Sequence, residues 1–493
     1  MEHSISYLNL SVEPFEVEHI LDLKICQDIN EHGTLYFKAL ISENKKDVYI
    51  KGTDNYVSVR VDGFEGKSFT IFQGLVQNAE VKFSEGSYYL EVYAITFSYV
   101  MDTNLVSRTF QNKGMSYDSL IQYVMEDLED ASILDLASNG KSIGRLLVQY
   151  NETDWEFLKR LASHFHTGIV CDVRYDSLKC YFGMPCNNEI ELETVDHSVK
   201  RDVKRYMMLS QNGVDGLRES DFIFYQVKSE KPANLGDKVH YKGQDWYVTK
   251  SVANMEMGFL IYDLTITTKN GMSQLFRNNE KIVGASLSAS VDEIQNDRVK
   301  VSIEIDEIAG NTKCGKCFFP YSTIYSSQDG SGWYCMPEIG DHVRIYFPDG
   351  TEDHGYAISS IHEDVCLPDG FSDGTNSSDN DAGSGSAGGS YSGKRDDPSV
   401  KSLRNQDGKE IRLAPEGIYI IADGTTITLT DEGGVSIVSD QNIEFKSDHN
   451  IILCAQEDVN VIGTTGVNLS CNEMASVKIE ENVEVIGQEV KAN

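Results

Sequence analysis

Residues 427–445 read ITLTDEGGVSIVSDQNIEF, and they contain a repeat of eight residues. In each octad two apolar residues stand two positions apart: Ile427 and Leu429, Val435 and Ile437, Ile443 and Phe445. The same phase holds from Ile411 to Val485, and all twenty positions are apolar. At 40% apolar composition the chance of this pattern is about 10⁻⁸. Short strands with one inward face, joined by tight corners, are typical of a β-solenoid.

Eight residues supply one strand and one corner, which is one side of a triangular prism. One chain can close a three-sided turn with roughly 24 residues, or three chains can wind around a common axis, each adding one side per layer. The pattern least favours an antiparallel meander, because hairpins rarely hold one phase for about 75 residues. Twenty buried apolar side chains contribute roughly 30–60 kcal/mol at best, and ordering the segment costs as much or more. We therefore expect three chains, which also cover each other's strand edges.

Composition restricts the partners of this 493-residue chain, which has 77 acidic and 43 basic side chains and a formal charge of −34. Such an acidic chain is poorly suited to bind nucleic acid or an anionic membrane.

The length predicts about three or four domains, and 40% apolar content excludes wholesale disorder. No apolar run is long enough for a transmembrane helix, and the N-terminal sequence lacks the features of a signal peptide. We expect synthesis in the cytoplasm and export by other means.

The rest of the chain is predicted to be mainly β with minor α. Strand patterns up to about residue 101 indicate a sheet or barrel with one buried face. A helical insert at about 114–166 follows, with one helix capped by Ser116 and another over 152–166 capped by Thr153. Residues 168–280 return to strand patterning, and a compact β unit occupies about 282–364. Gly, Ser, Asp and Asn make up 20 of the 25 residues from 369 to 393, which predicts a flexible linker.

Three stretches resemble the VgrG (valine–glycine repeat) spike family of type VI secretion systems and the related hub and spike proteins of contractile phage tails. One is YNETDWEFLKRL at 150–161, which is similar to the family's helix after its first barrel. Another is DRVKV at 297–301 with GWYCMPEIGDHVRIYFPDG at 332–350, which is similar to its OB-fold. The octad repeat resembles its triple-stranded β-prism. Asp297 departs from the family, which has Gly there, so that turn is expected to differ.

The resemblance implies a homotrimer with four parts in each chain. Residues 1–281 would form a hub region of β-barrel domains, 282–366 an OB-fold neck, 367–400 the linker, and 401–493 the octad region, a triple-stranded triangular β-prism. The hub region would contact the tail-tube protein and baseplate proteins. Because the octad region has no His-x-His near its end, only His449, a separate tip protein of the PAAR (proline–alanine–alanine–arginine) type is a further hypothesis, as is effector cargo.

The implied function is a non-enzymatic central spike and baseplate hub of a contractile injection machine. Such a protein caps the tail tube, is expelled towards a target cell and punctures its envelope when the sheath contracts. The alternative is a β-solenoid adhesin, a receptor-binding fibre or a polysaccharide-degrading enzyme. A secretion system, a phage, a tailocin and an extracellular injection particle would share these parts.

Candidate site residues are few. A zinc-ligand set is conceivable from Cys314, Cys317, Cys335 and Cys366, but the loose spacing between pairs favours free thiols. His164 and His166 stand two apart on the predicted helix and should diverge. Three acidic residues are expected along a solvated strand face: Glu304, Asp306 and Glu307. No phosphate loop, nucleophile elbow or zinc-protease motif is present, so we predict no catalytic, cofactor-binding or metal residues.

Overall fold

A computed structural model of the chain describes residues 4–51, 55–186, 188–192, 197–324, 335–361, 399–405, 407–471 and 475–479. It contains two compact units, Met1–Glu363 and Asp364–Asn493. The predicted linker at 367–400 lies almost wholly outside the described residues. None of the helices in the described ranges is both long and apolar enough to cross a membrane. The fold is mainly β with minor α, as the sequence predicted.

In its described residues, the hub region consists of many strands with four short helices. Its helices are α1 (Lys46–Lys51), α2 (Tyr117–Val124), α3 (Asp154–Ser163) and α4 (Val203–Gln211). Its strands are β1 (Leu10–Glu13), β2 (His19–Asp28), β3 (Thr34–Ile41), β4 (Tyr56–Phe64), β5 (Lys67–Ser84), β6 (Ser87–Ile95), β7 (Val106–Phe110), β8 (Ser132–Asp135), β9 (Leu147–Glu152), β10 (Ile169–Cys171), β11 (Lys179–Phe182), β12 (Glu189–Glu191), β13 (His197–Arg201), β14 (Ile223–Ser229), β15 (Lys238–Tyr241), β16 (Gln244–Glu256) and β17 (Phe259–Thr267).

One twelve-stranded sheet runs through the hub region in the order β1-β4-β5-β6-β3-β2-β16-β17-β14-β13, with β15 beside β16 and β12 beside β15. The antiparallel pairing of β2 with β16 joins the first hundred residues to the segment after the helices. Alternating side chains of these strands enter one core, as in β3, where every second residue is buried. Residues predicted to form several barrels therefore share one hydrogen-bonded sheet.

The helical insert has its own core beside two small sheets, β7-β9 and β10-β11-β8. Both predicted caps are confirmed: the Ser116 side chain accepts a bond from Ser119 N, and Thr153 forms a capping box with Glu156. The second helix is shorter than predicted, because α3 ends at Ser163. His166 lies beyond its end with a left-handed φ of 53°, so the prediction that it belongs to the helix is wrong.

The OB domain is a five-stranded sheet in the order β20-β19-β18-β21-β22. A parallel bridge between Tyr321 and Ala357, supported by the bond from Ser322 N to the Ala357 carbonyl (2.8 Å), links its two ends as in an OB barrel. The β18–β19 turn places Asn296, with φ of 55°, in the left-handed position, so Asp297 needs no glycine there. The elements are β18 (Ser286–Gln295), β19 (Arg298–Ile303), α5 (Glu304–Ile308), β20 (Phe318–Pro320), β21 (His342–Tyr346) and β22 (Tyr356–Ile361).

The expectation for the acidic cluster Glu304, Asp306 and Glu307 is wrong. These residues form α5 and not a strand, and Asp306 is buried while Glu304 and Glu307 are exposed. The short helix turns one of three neighbouring carboxylates inward, where it meets donors of the hub region.

The octad region of the single chain contains β23 (Lys401–Arg404), β24 (Glu410–Ala414), β25 (Gly417–Ala422), β26 (Thr425–Thr430), β27 (Gly434–Ser439), β28 (Val467–Cys471) and β29 (Ala475–Ile479). The first five pair in sequence order as an antiparallel meander, and β28 pairs with β29. The meander is the arrangement that the sequence favoured least. A chain without partners satisfies its backbone groups most simply by pairing each strand with the next.

Candidate functional site: hub–OB junction and octad sheet

A buried arginine joins the hub region to the OB domain. Arg160 projects from α3 and is 3% exposed. Its Nε and Nη2 donate to the Glu152 carboxylate (2.9 and 2.7 Å), and its Nη1 donates to Glu352 Oε1 of the OB domain (2.7 Å). Burial acts to lower the pKa of Arg160, but the two carboxylates outweigh burial and raise it. The guanidinium therefore stays charged and directional, holding both domains at one geometry.

Asn279 completes this junction at the entrance to the OB domain. Its Nδ2 donates to the Val148 carbonyl (2.8 Å) and to Glu352 Oε1 (3.2 Å), and its side chain is fully buried. Arg160 Nη2 donates to the same Val148 carbonyl (2.7 Å). Strand β9, helix α3, the interdomain segment and the OB domain thus share one polar network.

Asp306 makes a second contact between the domains. It accepts bonds from Thr109 N (2.6 Å), Thr109 Oγ1 (2.5 Å) and Asn311 Nδ2 (2.8 Å). Asn311 Nδ2 also donates to the Thr109 carbonyl (2.8 Å). Burial raises the pKa of Asp306 and the hydrogen bonds act against that rise. The carboxylate fixes β7 of the hub region against α5.

The first cysteine pair belongs to the same junction. The Cys314 carbonyl accepts from Gln111 N (2.6 Å), and Cys317 N donates to Gln111 Oε1 (3.0 Å). Burial raises the pKa of the Cys314 thiol, and it raises that of Cys317 to about 11. The backbone of the loop at residues 314–317 therefore packs against Gln111 of the hub region.

The zinc hypothesis is not decided by this geometry. Cys335 is exposed, and Cys366 lies outside the described residues. Within the described ranges, no group of three or more His, Cys, Asp and Glu side chains is arranged to hold a metal ion.

The two histidines of the helix end have separate packing roles. His164 stacks on Phe276 (centroids 4.7 Å apart), and its Nδ1 lies 3.0 Å from the Tyr117 hydroxyl. Burial lowers the pKa of His164 to about 3, so the ring is neutral. His166 Nδ1 lies 3.2 Å from the Gln274 carbonyl. They diverge as predicted, although the cause is the end of the helix and not helical spacing.

A cleft of about 800 Å³ lies beside Arg160, between α3, α4 and residues 273–281. Arg205 in its wall donates to the Ser273 carbonyl (2.9 Å), and burial lowers its pKa. Lys281 pairs with Glu156 (2.7 Å). The cations lining the cleft are Lys159, Arg160, Lys204, Arg205, Arg277 and Lys281. Four carboxylates line the same cleft, Glu152, Glu156, Asp202 and Glu280, so its charges are mixed.

The octad meander has an apolar face that this chain leaves open. Eight aliphatic side chains on that face are between 40% and 69% exposed: Leu403, Ile411, Leu413, Ile418, Ile420, Leu429, Val435 and Ile437. The cross-strand pairs place them together, as in Ile411 opposite Ile420 and Leu429 opposite Val435. A contiguous apolar surface of this kind marks an interface.

The meander does not keep all octad positions on one face. Ala414 pairs with Gly417, and Ala422 pairs with Thr425, so two-residue turns flank β25. As a result Ile418 and Ile420 join the apolar face, while the octad residues Tyr419 and Ile421 point to the other.

Between β27 and β28 the octad repeat continues without strand pairing. Residues 440–466, all of them described, contain no strand. Their octad side chains are 47% to 73% exposed: Ile443, Phe445, Ile451, Leu453, Val459 and Val461. The strict apolar period thus continues through residues that form no strand in the single chain.

The family comparison points to the OB domain. Residues 288–362 match the type VI secretion system/phage-baseplate injector OB domain family. The resemblance to hub-and-spike proteins that the sequence motifs indicated is confirmed. The matched range contains the Arg-Val-Lys-Val strand, the Pro-Glu-Ile-Gly-Asp turn and Glu352, so the buried junction attaches the hub region to the injector OB domain itself.

Solved structures are similar to this chain at low sequence identity. The Francisella PdpA–VgrG complex in its lidded form has 8% identity and a TM-score of 0.50, covering 86% of this chain and 76% of that one. The E. coli c3393 protein, described as a component of the type VI secretion system, has 10% identity and a TM-score of 0.49, covering 72% of this chain and 99% of that one. No curated protein matches the sequence.

Sequence reasoning missed the buried junction. Glu152 and Arg160 both lie in the YNETDWEFLKRL stretch, where Arg160 follows the apolar positions of an amphipathic helix. A cation at that position of the helix, flanked by buried leucines, was the available signal. No such signal marked Glu352, the distant partner of Arg160, or Asn279, which donates to Glu352, because only the tertiary fold brings these residues together.

Proposed function

We propose that the protein is the non-enzymatic central spike and baseplate hub of a contractile injection machine. The observation that carries this proposal is an injector OB domain in the same chain as an octad region whose apolar side chains find no cover in one copy. Capping of the tail tube and puncture of a target envelope would be its two mechanical tasks. The alternative of an adhesin or polysaccharide-degrading enzyme has no specific observation in its favour.

A homotrimer is the proposed assembly. Three copies would let the unpaired residues 440–466 bond to neighbouring chains, and the octad side chains would fill a common interior. The strands of the meander would likewise give up their pairing within one chain and bond to neighbouring chains. Pairing between chains would replace the hairpins within one chain, and the same apolar octad residues would be buried.

Rigidity at the junction supports the mechanical role. A spike must transmit force from the hub region to the neck without bending, and the Arg160 and Asp306 networks fix these two parts with buried, charge-assisted bonds. The hub region would bind tail-tube and baseplate proteins, and a PAAR-type tip protein and effector cargo would bind elsewhere on the trimer.

Two neighbouring substitutions test the assembly. Ile421 stands at an octad position and Ile420 does not, yet both are aliphatic residues of β25. In a prism that buries the octads, Ile421→Asp should abolish the trimer in native mass spectrometry, while Ile420→Asp should leave it intact. If Ile420→Asp disrupts the assembly and Ile421→Asp does not, the meander face is the interface and the prism is wrong. A wild-type monomer at micromolar concentration would overturn the trimer itself.

The place in the particle needs a separate experiment. Antibody against the OB domain should label one end of contractile particles in negative-stain images, and particles lacking the chain should fail to assemble or lack that end. Labelling along the sheath would contradict the proposal.

A further inference from the structure

Two buried cysteines face each other in the small sheet of the helical insert. Cys171 of β10 pairs directly with Cys180 of β11, and their sulfur atoms are 3.6 Å apart. Both residues are less than 5% exposed. The next pair in register carries the ladder bond, from Asp172 N to the Lys179 carbonyl (2.9 Å), so the cysteines form a non-hydrogen-bonded pair. Cα atoms of such pairs lie about 4.5 Å apart, within the range that a disulfide spans.

A line of polar side chains leads away from Cys171. Its Sγ lies 3.0 Å from Ser98 Oγ, which lies 2.8 Å from His32 Nδ1. His32 Nε2 lies 3.4 Å from Asp102 Oδ2, and the ring stacks on Trp155 at 4.3 Å between centroids. The carboxylate and the indole fix the orientation of the imidazole. This arrangement gives Cys171, and not Cys180, a path for its proton.

The surroundings distinguish the two thiols. Burial opposes ionisation of Cys171, but its hydrogen bonds with Cys180, His32 and Ser98 outweigh burial and lower its pKa. Cys180 donates to Cys171, and this bond together with burial raises the pKa of Cys180. One attacking thiolate beside one protonated thiol is the arrangement of a reactive and a resolving cysteine.

We propose that Cys171 and Cys180 are a peroxide-reactive dithiol that closes to a disulfide within the hub region. The Cys171 thiolate attacks one oxygen of hydrogen peroxide, the O–O bond breaks, and protonated hydroxide leaves as water, giving a sulfenic acid. The Cys180 sulfur then attacks the Cys171 sulfur, the S–O bond breaks, and a second water leaves. In sum, two thiols and one peroxide give one disulfide and two waters.

Hydrogen peroxide is the oxidant that fits this site, because it is small and uncharged while the thiols are buried. Larger disulfides such as oxidised glutathione would need the β10–β11 hairpin to open. The product would join two strands that already pair, so the fold need not rearrange. The inference depends on this cluster alone and stands whether or not the chain is a spike.

The test uses the full chain, first treated with iodoacetamide under native conditions to block exposed thiols such as Cys186 and Cys454. Peroxide should then remove two hydrogens from the protein mass, and peptide mapping should find Cys171 joined to Cys180. Cys180→Ser should accumulate a sulfenic acid at Cys171, which dimedone traps when the protein is unfolded in its presence. Cys171→Ser should leave Cys180 at least about tenfold slower to oxidise than Cys171 in wild type.

His32 and Asp102 act as positioning residues. Asp102→Asn keeps the ring stacked on Trp155 and should slow sulfenic acid formation by several-fold, with an unchanged melting temperature and rescue by Asp102→Glu. His32→Gln should slow it further. If, in a parallel sample without iodoacetamide, Cys454 oxidises while the 171–180 peptides stay reduced, the proposal is wrong. Equal rates for Cys171 and Cys180 in the single variants would also overturn it.

Discussion

Asp306→Ala should loosen the OB domain from the hub region. The substitution leaves the buried Thr109 N–H and hydroxyl without their acceptor, whereas Asn311 keeps its bond to the Thr109 carbonyl. An unsatisfied buried donor costs about 1–3 kcal/mol. Removing a buried charge offsets part of this cost, so we expect a net loss of about 2–4 kcal/mol in the free energy of unfolding. Over a unit of roughly 360 residues this corresponds to roughly 3–5 °C in Tm.

Scanning calorimetry of the full chain measures this loss, and α5 provides its control. Glu307→Ala removes an exposed carboxylate from the same helix and should change the stability by less than about 0.5 kcal/mol. Asp306→Asn keeps an acceptor for Thr109 N and should cost only about 1 kcal/mol. Equal small effects of Asp306→Ala and Glu307→Ala would refute the idea that Asp306 fixes the junction.

The pH dependence gives the same residue a second test. Because burial raises its pKa, the folded state holds the Asp306 proton more tightly than the unfolded state does. The tighter binding of this proton adds to the free energy of unfolding. This contribution is fully present below the pKa of the unfolded chain, about 3.9, and is lost as pH rises through the pKa of the folded state. The stability advantage of wild type over Asp306→Asn should therefore shrink as pH rises from about 4. A constant difference across this range would contradict the burial argument.

Substitutions at three further positions test the junction and its surroundings by the same calorimetry. Glu352→Gln removes one of the two charges that face Arg160 and should lower the free energy of unfolding by about 1–3 kcal/mol. If the distance between the two side chains matters and not the charge, Glu352→Asp should lower it further. His164 has a pKa of about 3, so protonation of the unfolded chain destabilises the fold as pH falls below about 6.5; at pH 5 the loss is about 2 kcal/mol, and His164→Gln should abolish it. Gly315→Ala places a Cβ 2.8 Å from Asn112 at a left-handed φ of 70°. It should lower the free energy of unfolding by about 1–3 kcal/mol, and this loss should not depend on pH.

Local features of the fold were predictable because they depend on a few adjacent residues. Ser116 and Thr153 satisfy backbone N–H groups within the next turn, so the helix starts were visible in the sequence. The end of α3 was not predictable, because no residue between Ser163 and His166 is a strong stop signal. Just past this end, His164 stacks on Phe276. Strands with alternating burial were predictable for the same local reason.

The buried polar groups were not predictable. Glu304, Asp306 and Glu307 are chemically alike and closely spaced, and only the position of Thr109 on a strand almost two hundred residues earlier selects Asp306 for burial. Arg160 likewise needs Glu352, which is far away in sequence. A pattern of exposed and buried residues can be read from one segment, whereas a hydrogen-bond partner from another domain cannot.

The single chain pairs its octad strands as a meander, and this pairing does not keep the repeat in one phase. Pairing each strand with its neighbour requires tight turns, and two-residue turns on both sides of β25 reverse the orientation of that strand's side chains. Ile418 and Ile420 fit the resulting apolar face, but the octad pair Tyr419 and Ile421 is turned away from it. A meander thus breaks the period that runs unbroken through the rest of the repeat, and it leaves its apolar face exposed. Chains that wind around one axis need no such reversal, because each octad adds the same strand and the same corner. The strict phase of the repeat is explained by that geometry and is unexplained by hairpins.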